Sequence, residues 1–241
     1  MSWKDELTTQ IATLSKAEFD YIETKDISRV SELDNNCTGI YMEATIIYFE
    51  IKNANAVLKD QGRRKMAQAY TMFNQILSNI AQRDGGFVNT YAPNALLVVF
   101  PGKEDEQAKA VKCAMKIAYA LSEPLKDAFT HIAGLEFAMG MDHGHIMGTK
   151  TISDNKLEHI SWFGTCIYKA MRICKECSRP FYVGVSGIIY HSLGEDMRIT
   201  YRRILGLKKS VEIWTKVSYQ YENVKKHLYQ TNHKIAIDDE E

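Results

Sequence analysis

The hydrophobic pattern of the chain alternates between continuous apolar runs and helical spacing. Residues 44–51 are apolar and β-branched on both faces, which predicts a strand buried in the middle of a sheet. Residues 65–82 place their apolar side chains on one side at helical spacing, as an amphipathic helix does. Residues 87–91 and 96–100 flank a short polar turn and predict a β-hairpin. The segment from 43 to 100 is therefore the part around which we expect the rest of the chain to be arranged.

The remaining pattern predicts further helices and strands on both sides of this segment. We expect an extended strap at 25–41 and a polar helix or tail from 218 to the acidic end. Further helices are predicted at 4–24, 54–60, 104–121 and 165–177, and further strands at 135–141, 157–163, 181–185, 197–204 and 211–217. This order predicts an α+β fold in which helices pack against a mostly antiparallel sheet.

Composition narrows the functional classes only a little. The 241 residues carry 30 Lys plus Arg and 30 Asp plus Glu, so the formal net charge is zero and gives no overall attraction to nucleic acid or to a membrane. The sequence has no apolar run near the ~20 residues of a membrane span and no apolar signal region at its start. We therefore expect a cytoplasmic protein whose five cysteines are free thiols.

The hairpin brings two polar residues together. Its tip at Asn94 and the end of the first central strand at Glu50 are expected to lie side by side. An acid and an amide at one sheet end could jointly bind a metal ion. Each also has a plain structural interpretation, since Glu50 could face solvent and Pro93-Asn94 is good turn chemistry.

Four segments, in order, resemble the class III nucleotidyl cyclase catalytic domain, the adenylate and guanylate cyclase family. The frame covers roughly residues 43–217, which would be the catalytic-type domain between an N-terminal helix and strap (1–42) and a C-terminal helix or tail (218–241). The matching segments are Phe49-Glu50-Ile51, the Gly85-Gly86 pair with its hairpin at Pro93-Asn94-Ala95, the run Gly140 to Gly148, and the run Gly164 to Ile173. The strap, Ile51-Lys52-Asn53 and Trp162-Phe163-Gly164 are similar to the pyrimidine cyclases of bacterial anti-phage signalling.

The resemblance implies a ferredoxin-like-derived cyclase fold, a nucleoside triphosphate ligand and a head-to-tail dimer. Two carboxylates of one subunit would hold two Mg²⁺ or Mn²⁺ ions at the phosphates, and an Asn and an Arg of the other would act on the ribose and the transition state. Here Glu50 and Asn94 stand at the two metal positions, so one carboxylate is replaced by a neutral amide. Tyr168 stands at the position of the ribose-orienting Asn, and Arg172 matches the Arg one helical turn later.

The same carry-over assigns nucleotide contacts to Thr90, Thr165 and Asn53. The two threonine hydroxyls can donate or accept hydrogen bonds, so they do not distinguish a purine from a pyrimidine. Arg172 could equally be a helix-surface charge, and Tyr168 could simply fill space. Asp142-His143-Gly144-His145 and Cys174-Lys175-Glu176-Cys177 have metal-like spacing, although structural roles in a strand–turn–strand and a buried helix end account for them.

Two functions remain open on this reading. The first is a cyclase-homology pseudoenzyme that binds a nucleoside triphosphate, holds metal weakly and acts as a homodimer, or as a hetero-dimer with another cyclase. The second is an active cyclase that makes a 3′,5′-cyclic monophosphate and diphosphate. The loss of a carboxylate and of the ribose Asn together favours the first for a homodimer, because both groups act on one transition state.

Overall fold

The computed structural model describes residues 2–33, 37–92, 94–122, 135–152, 158–180, 182–204 and 207–237. Its helices are α1 (Trp3–Lys16), α2 (Ala54–Gln61), α3 (Arg63–Arg83), α4 (Glu104–Ser122), α5 (Thr165–Glu176), α6 (Gly187–Ser192) and α7 (Glu195–Arg198), with a 3₁₀ helix at Ile27–Glu32. Its strands are β1 (Asp20–Glu23), β2 (Thr38–Ile51), β3 (Phe87–Ala92), β4 (Ala95–Pro101), β5 (Phe137–Ile152), β6 (Glu158–Phe163), β7 (Val183–Ser186), β8 (Ile199–Ile204), β9 (Leu207–Glu212), β10 (Thr215–Tyr221) and β11 (Val224–Thr231).

One large sheet with the order β10-β11-β7-β5-β2-β4-β3 forms the centre of the molecule. Strand β1 pairs with β2, strand β6 pairs with β5, and β8 and β9 form a separate two-stranded sheet. The β1–β2 and β5–β7 pairs are parallel, whereas the remaining pairs are antiparallel. The predicted α+β class, with helices flanking a mostly antiparallel sheet, is confirmed.

Strand β2 lies between β4 and β5 and is buried on both faces, as its continuous apolar sequence predicts. Alternate side chains point to opposite faces of the strand. Ile47, Phe49 and Ile51 pack in a core that includes residues of α3 and α4, whereas Ile46 and Tyr48 pack in a second core that includes residues of α5. Glu50 follows in the second register, so its side chain lies on the α5 face of the sheet.

The N-terminal part differs from the predicted helix and strap. Helix α1 ends at Lys16 rather than near 24, and the chain continues into strand β1 and the 3₁₀ helix. Strand β2 begins at Thr38, six residues before the predicted start, because β5 is long enough to pair with it from Gly39 to Ile51. Strand length here depends on a partner 100 residues away, and local pattern does not reveal it.

Strand β5 is also longer than predicted. The chain continues as a strand through 142–148 without the expected turn, and His143 and His145 pair across from Thr45 and Glu43 of β2. The two glycines and two histidines in this stretch favour a turn by local propensity, but pairing with β2 over all of 142–148 keeps it extended, and β6 pairs on the other side from Met147 onward. The polar sequence of 149–156 predicts a turn, but residues 149–152 still belong to β5, and 153–156 lie outside the described residues.

The C-terminal prediction of a polar helix or tail is wrong for the residues described. Val224–Thr231 forms strand β11, which pairs with β10 on one side and with β7 on the other. The sequence pattern does not predict this strand, because its first half is charged and only Leu228 to Thr231 are buried. The acidic end at 238–241 lies outside the described residues.

Helices long and apolar enough to cross a membrane do not occur in the described parts of the chain.

Candidate functional site

The tip of the β3–β4 hairpin closes onto the end of β2. The backbone N–H of Ile51 donates to the carbonyl of Asn94 at 2.9 Å. The side-chain amide of Asn94 in turn donates through Nδ2 to the carbonyl of Ile51 at 3.1 Å. Glu50 pairs with Ala95, the residue after Asn94, so the acid and the amide lie at the same end of the sheet, as the hairpin pattern predicts.

The direction of the Asn94 hydrogen bond limits what this residue can bind. Its NH₂ group is turned towards the Ile51 carbonyl and acts as a donor, which leaves its single carbonyl oxygen as the acceptor for a ligand. A carboxylate at the same place could not donate to that carbonyl. The amide therefore supplies, without any cation, the contact that holds the hairpin tip against β2.

The neighbours of Glu50 come from the end of helix α5 and from Lys52. The Sγ atom of Cys174 lies 4.0 Å from Glu50 Oε2. The ammonium of Lys52 donates to the carbonyls of Cys174 and Lys175 at 3.0 and 3.2 Å, which satisfies two acceptors at the helix C-terminus. Burial raises the pKa of the Cys174 thiol, so that it stays neutral beside the carboxylate.

Helix α5 reaches this position because β5 carries a glycine beneath it. A Cβ atom at Gly140 would lie 2.0 Å from the carbonyl oxygen of Ala170 and 2.3 Å from the backbone nitrogen of Cys174. Only glycine permits such an approach of helix to strand. The glycine spacing in this stretch thus fixes the depth at which α5 packs on the sheet.

Tyr168 and Arg172 lie on the outer side of α5. Tyr168 is 55% exposed, and Arg172 forms an ion pair with Glu176 one turn later, Nη2 to Oε1 2.6 Å. Cys174, which contacts Glu50, is on the inner side of the same helix. Tyr168 is therefore presented to solvent, whereas Arg172 is partly buried and its Nε atom has no hydrogen-bond partner among the described residues.

The three expected nucleotide-contact residues have different environments. The Oδ1 atom of Asn53 accepts a hydrogen bond from the backbone N–H of Glu136 at 2.9 Å, which ties the start of α2 to the start of β5. Thr165 is exposed at the first position of α5. Thr90 belongs to strand β3, and its side chain lies outside the described part of the structure. Their predicted nucleotide contacts stay predictions.

The chain is similar to proteins named uridylate cyclase, in one case over nearly its whole length. It is 24% identical to the uridylate cyclase of Xanthomonas perforans over 244 residues, which cover 99% of this chain and 100% of the relative. It is 20% identical to the uridylate cyclase of Burkholderia cepacia over 204 residues, which cover 82% of this chain and 87% of that one. No protein-family model matches the sequence.

Solved structures give the same picture of the fold. The crystal structure of the guanylyl cyclase Cya2 superposes with a TM-score of 0.66 at 14% identity and covers 81% of this chain and 94% of Cya2. The protein has the class III nucleotidyl cyclase fold. A class III adenylyl cyclase-like ATP-binding protein from Pseudomonas aeruginosa also superposes on it, with a TM-score of 0.62 at 13% identity over 79% of this chain and 43% of that one.

The residues that the resemblance places at the metal positions do not fit a pair of divalent ions. Glu50 offers one carboxylate, and the Asn94 amide is engaged with the Ile51 carbonyl. In the described residues, no group of three or more His, Cys, Asp or Glu side chains could hold a metal ion. Mg²⁺ demands near-ideal octahedral oxygen ligands and is usually bound by one or two carboxylates together with waters and substrate phosphates, so a single carboxylate is a poor set for two ions.

The sequence gives no indication that Lys52 and Cys174 lie at this end of the sheet. It places Lys52 in a segment similar to the family and Cys174 in a Cys-x-x-Cys spacing. Cys174 and Cys177 are buried free thiols, so the spacing reflects the buried side of α5. No local signal reports the contact of Cys174 with Glu50, because it depends on how deeply α5 packs against β5.

Proposed function

We propose that this chain is a cyclase-fold protein of cyclic-nucleotide signalling that binds a nucleoside triphosphate, and that its homodimer has weak or no cyclase activity. The observation that supports this most strongly is the hydrogen bond from the Asn94 amide to the Ile51 carbonyl. It holds the Asn94 side chain by its donor group, so that this position offers an ion one neutral carbonyl oxygen in place of a charged carboxylate.

The electrostatic consequence concerns the triphosphate. Divalent ions normally offset the negative charge of the phosphates and lower the pKa of the attacking hydroxyl. Replacing one ligand charge by a neutral amide removes ~4 kcal/mol of attraction per charge pair at ~4 Å and an effective dielectric of ~20, before relaxation. Glu50 alone would hold an ion weakly, so binding of the nucleotide is expected to survive better than its turnover.

The residues at the ribose and transition-state positions support the same proposal. Tyr168 offers a phenol instead of an amide, and the guanidinium of Arg172 is already paired with Glu176 at 2.6 Å. For Arg172 to reach a nucleotide held by a partner subunit, this ion pair has to be broken or shared. Both features lower the rate that a head-to-tail homodimer can reach.

A uridine nucleotide is the first ligand to test. One relative named uridylate cyclase aligns with 99% of the chain, a share that includes Glu50, the β3–β4 hairpin and helix α5. A cyclase-like protein named for ATP binding shares the fold, which is a precedent for binding as the principal property. The resemblance to anti-phage cyclases makes an infected host cell the setting in which to seek a cyclic pyrimidine nucleotide.

The second candidate is an active cyclase that converts a nucleoside triphosphate, UTP foremost, to its 3′,5′-cyclic monophosphate and diphosphate. The full-length similarity to proteins named uridylate cyclase favours it. In that case Glu50 would carry the metal, with Asn94 as a weak neutral ligand and Arg172 acting on the transition state.

One experiment separates the two candidates. The purified chain is incubated with UTP, CTP, ATP or GTP and with Mg²⁺ or Mn²⁺, and cyclic products are measured by mass spectrometry beside triphosphate-dependent melting temperature. We expect a rise in melting temperature with at least one triphosphate and little product. The oligomeric state is read by light scattering, and mixing with an intact cyclase tests the hetero-dimer.

Single substitutions with a matched control show whether any cyclic product depends on the proposed site residues. Product that disappears in Glu50→Ala and in Arg172→Ala, but not in the exposed control Lys175→Ala, would establish the active enzyme and end the pseudoenzyme proposal. A chain that gives neither product nor a triphosphate-dependent melting shift would overturn both candidates.

A further inference from the structure

The sheet opens into a cleft where strand β7 ends. Pairing of β7 with β5 stops at Met141 and Val185, and pairing with β11 stops at Leu228 and Ser186. After Ser186 the chain turns into α6, so β5 and β11 continue without a common neighbour. The cavity between them has a volume of about 350 Å³, at the small end of the range of ligand pockets.

A buried carboxylate lies at the inner end of this cleft. Asp142 is 1% exposed, and neither of its carboxylate oxygens accepts a hydrogen bond from the described residues. The hydroxyl of Ser186, also buried, lies close enough to Asp142 to lower the pKa of that carboxyl, but the two side chains do not meet the geometry of a hydrogen bond, and Ser186 has no other partner among the described residues. The ammonium of Lys169 is 3.8 Å from Asp142 Oδ2, longer than a hydrogen bond.

Such groups are uncommon in a folded interior. Buried polar side chains are nearly always hydrogen-bonded, because an unmet buried acceptor costs free energy. Burial raises the pKa of Asp142, whereas the nearby Ser186 hydroxyl and Lys169 lower it. Asp142 and Ser186 together offer acceptors, and in the case of Ser186 also a donor, to a molecule that enters the cleft.

The lining of the cleft is positively charged. Lys169 of α5, Lys216 of β10 and Lys226 of β11 line it, and His191 and His227 lie beside them. Among the described lining residues the single acid is Asp142. Concentrated cationic side chains around a narrow opening raise the local concentration of anions.

We propose that this cleft binds a small phosphate-bearing molecule that also carries an N–H or O–H donor, of the size of a nucleoside monophosphate. The donor end would reach Asp142 and Ser186, and the phosphate would lie against Lys216 and Lys226. The cyclic product of a cyclase and an ordinary 5′-monophosphate share this chemistry. Glu50 and Asn94 do not line the cleft, so the proposal stands independently of the triphosphate site.

The test measures binding to the full chain by calorimetry and by melting temperature. The probes are inorganic phosphate and the 3′,5′-cyclic and 5′-monophosphates of uridine, cytidine, adenosine and guanosine. We expect at least one mononucleotide to bind, and the double variant Lys216→Gln, Lys226→Gln to weaken it about tenfold or more. The matched control is Lys225→Gln, an exposed lysine on the same strand that does not line the cleft.

A second variant tests the buried end. Asp142→Asn removes one acceptor and the negative charge while keeping the shape, so it should weaken the mononucleotide about tenfold, whereas inorganic phosphate should bind at least as well because a repelling charge is gone. Should this variant not fold, the two lysine substitutions at the exposed rim still decide the question. Comparison of the cyclic and linear probes shows which source of ligand the cleft prefers.

Several results would overturn the proposal. One is that none of the nine probes binds. Another is that Lys225→Gln weakens binding as much as the rim variant, which would indicate general attraction to a basic surface. A third is loss of mononucleotide binding in Glu50→Ala alone, which would place the ligand at the other site. A fourth is that the Asp142→Asn variant is more stable than the natural chain and binds mononucleotides with the same affinity, which would give the carboxylate a purely structural role.

Discussion

Replacing Asn94 by aspartate tests whether the amide is what keeps divalent ions away. The substitution removes the Nδ2 donor that lies 3.1 Å from the Ile51 carbonyl and places a carboxylate there. Loss of this hydrogen bond costs about 1 kcal/mol. Repulsion from Glu50 adds up to ~3 kcal/mol at ~6 Å and an effective dielectric of ~20, reduced by solvent because both residues are only half-buried.

We therefore expect Asn94→Asp to be less stable than the natural chain by about 1–3 kcal/mol without metal, which for a chain of this size lowers the melting temperature by about 5 °C. An ion that bridges the new carboxylate, Glu50 and the Ile51 carbonyl would reverse the loss. Saturation at 100 times the dissociation constant returns ~2.7 kcal/mol. The natural chain should respond little to the same ions.

The assay is melting temperature as a function of Mg²⁺ and Mn²⁺ concentration, with and without UTP. The control is Asn89→Asp, on the same hairpin, whose amide also donates to a backbone carbonyl, that of Ile160 at 3.1 Å. It should lose stability without gaining a response to metal. An Asn94→Asp variant no more responsive than Asn89→Asp, or a natural chain with an equal response, would refute the reasoning.

Three further predictions concern the support of the site. Gly140→Ala should destabilise the chain by ~3 kcal/mol or more in urea unfolding, since its Cβ would overlap the backbone of α5, whereas Gly187→Ala has room and should cost under ~1 kcal/mol. Lys52→Met should cost about 1–2 kcal/mol by leaving two carbonyls of α5 without their ammonium donor, and the loss should shrink little in high salt because the contact is partly buried. Burial raises the pKa of the Cys166 thiol to about 12 from 9.0, so stability should fall as pH rises from about 9 towards 12, by ~2 kcal/mol at pH ~10.5. Measured by urea unfolding, the free energy of unfolding of Cys166→Ala should fall less at alkaline pH than that of the natural chain. An equal fall in both would contradict the burial of this thiol as the cause.

The sign of the pH effect follows from where the proton is held. The folded pKa of Cys166 lies above the unfolded value, so between the two the unfolded chain releases a proton that the folded chain keeps. The folded state then binds more protons, and its stability decreases with rising pH. A stability that rose between pH 9 and 11 would contradict the burial of this thiol.

The sequence by itself predicted those helices and strands whose hydrophobic pattern can be recognised from their own residues alone. The apolar run of β2, the one-sided pattern of α3 and the paired runs of β3 and β4 each predict their own structure, because burial selects side chains at period 2 or 3.6. The neighbouring positions of Glu50 and Asn94 follow from the same hairpin. The order of these elements also sufficed to predict the α+β class.

Tertiary structure decided the features that depend on pairing between distant segments. Strand β5 stays extended through 142–148 because β2 pairs with it over this whole stretch, and the charged start of β11 is a strand because β10 pairs with it. The direction of the Asn94 amide, the contact of Cys174 with Glu50 and the unmet acceptors of Asp142 arise in the same way. Hydrogen bonds and close contacts at these positions join residues far apart in the chain, and the hydrophobic pattern does not predict which of them come into contact.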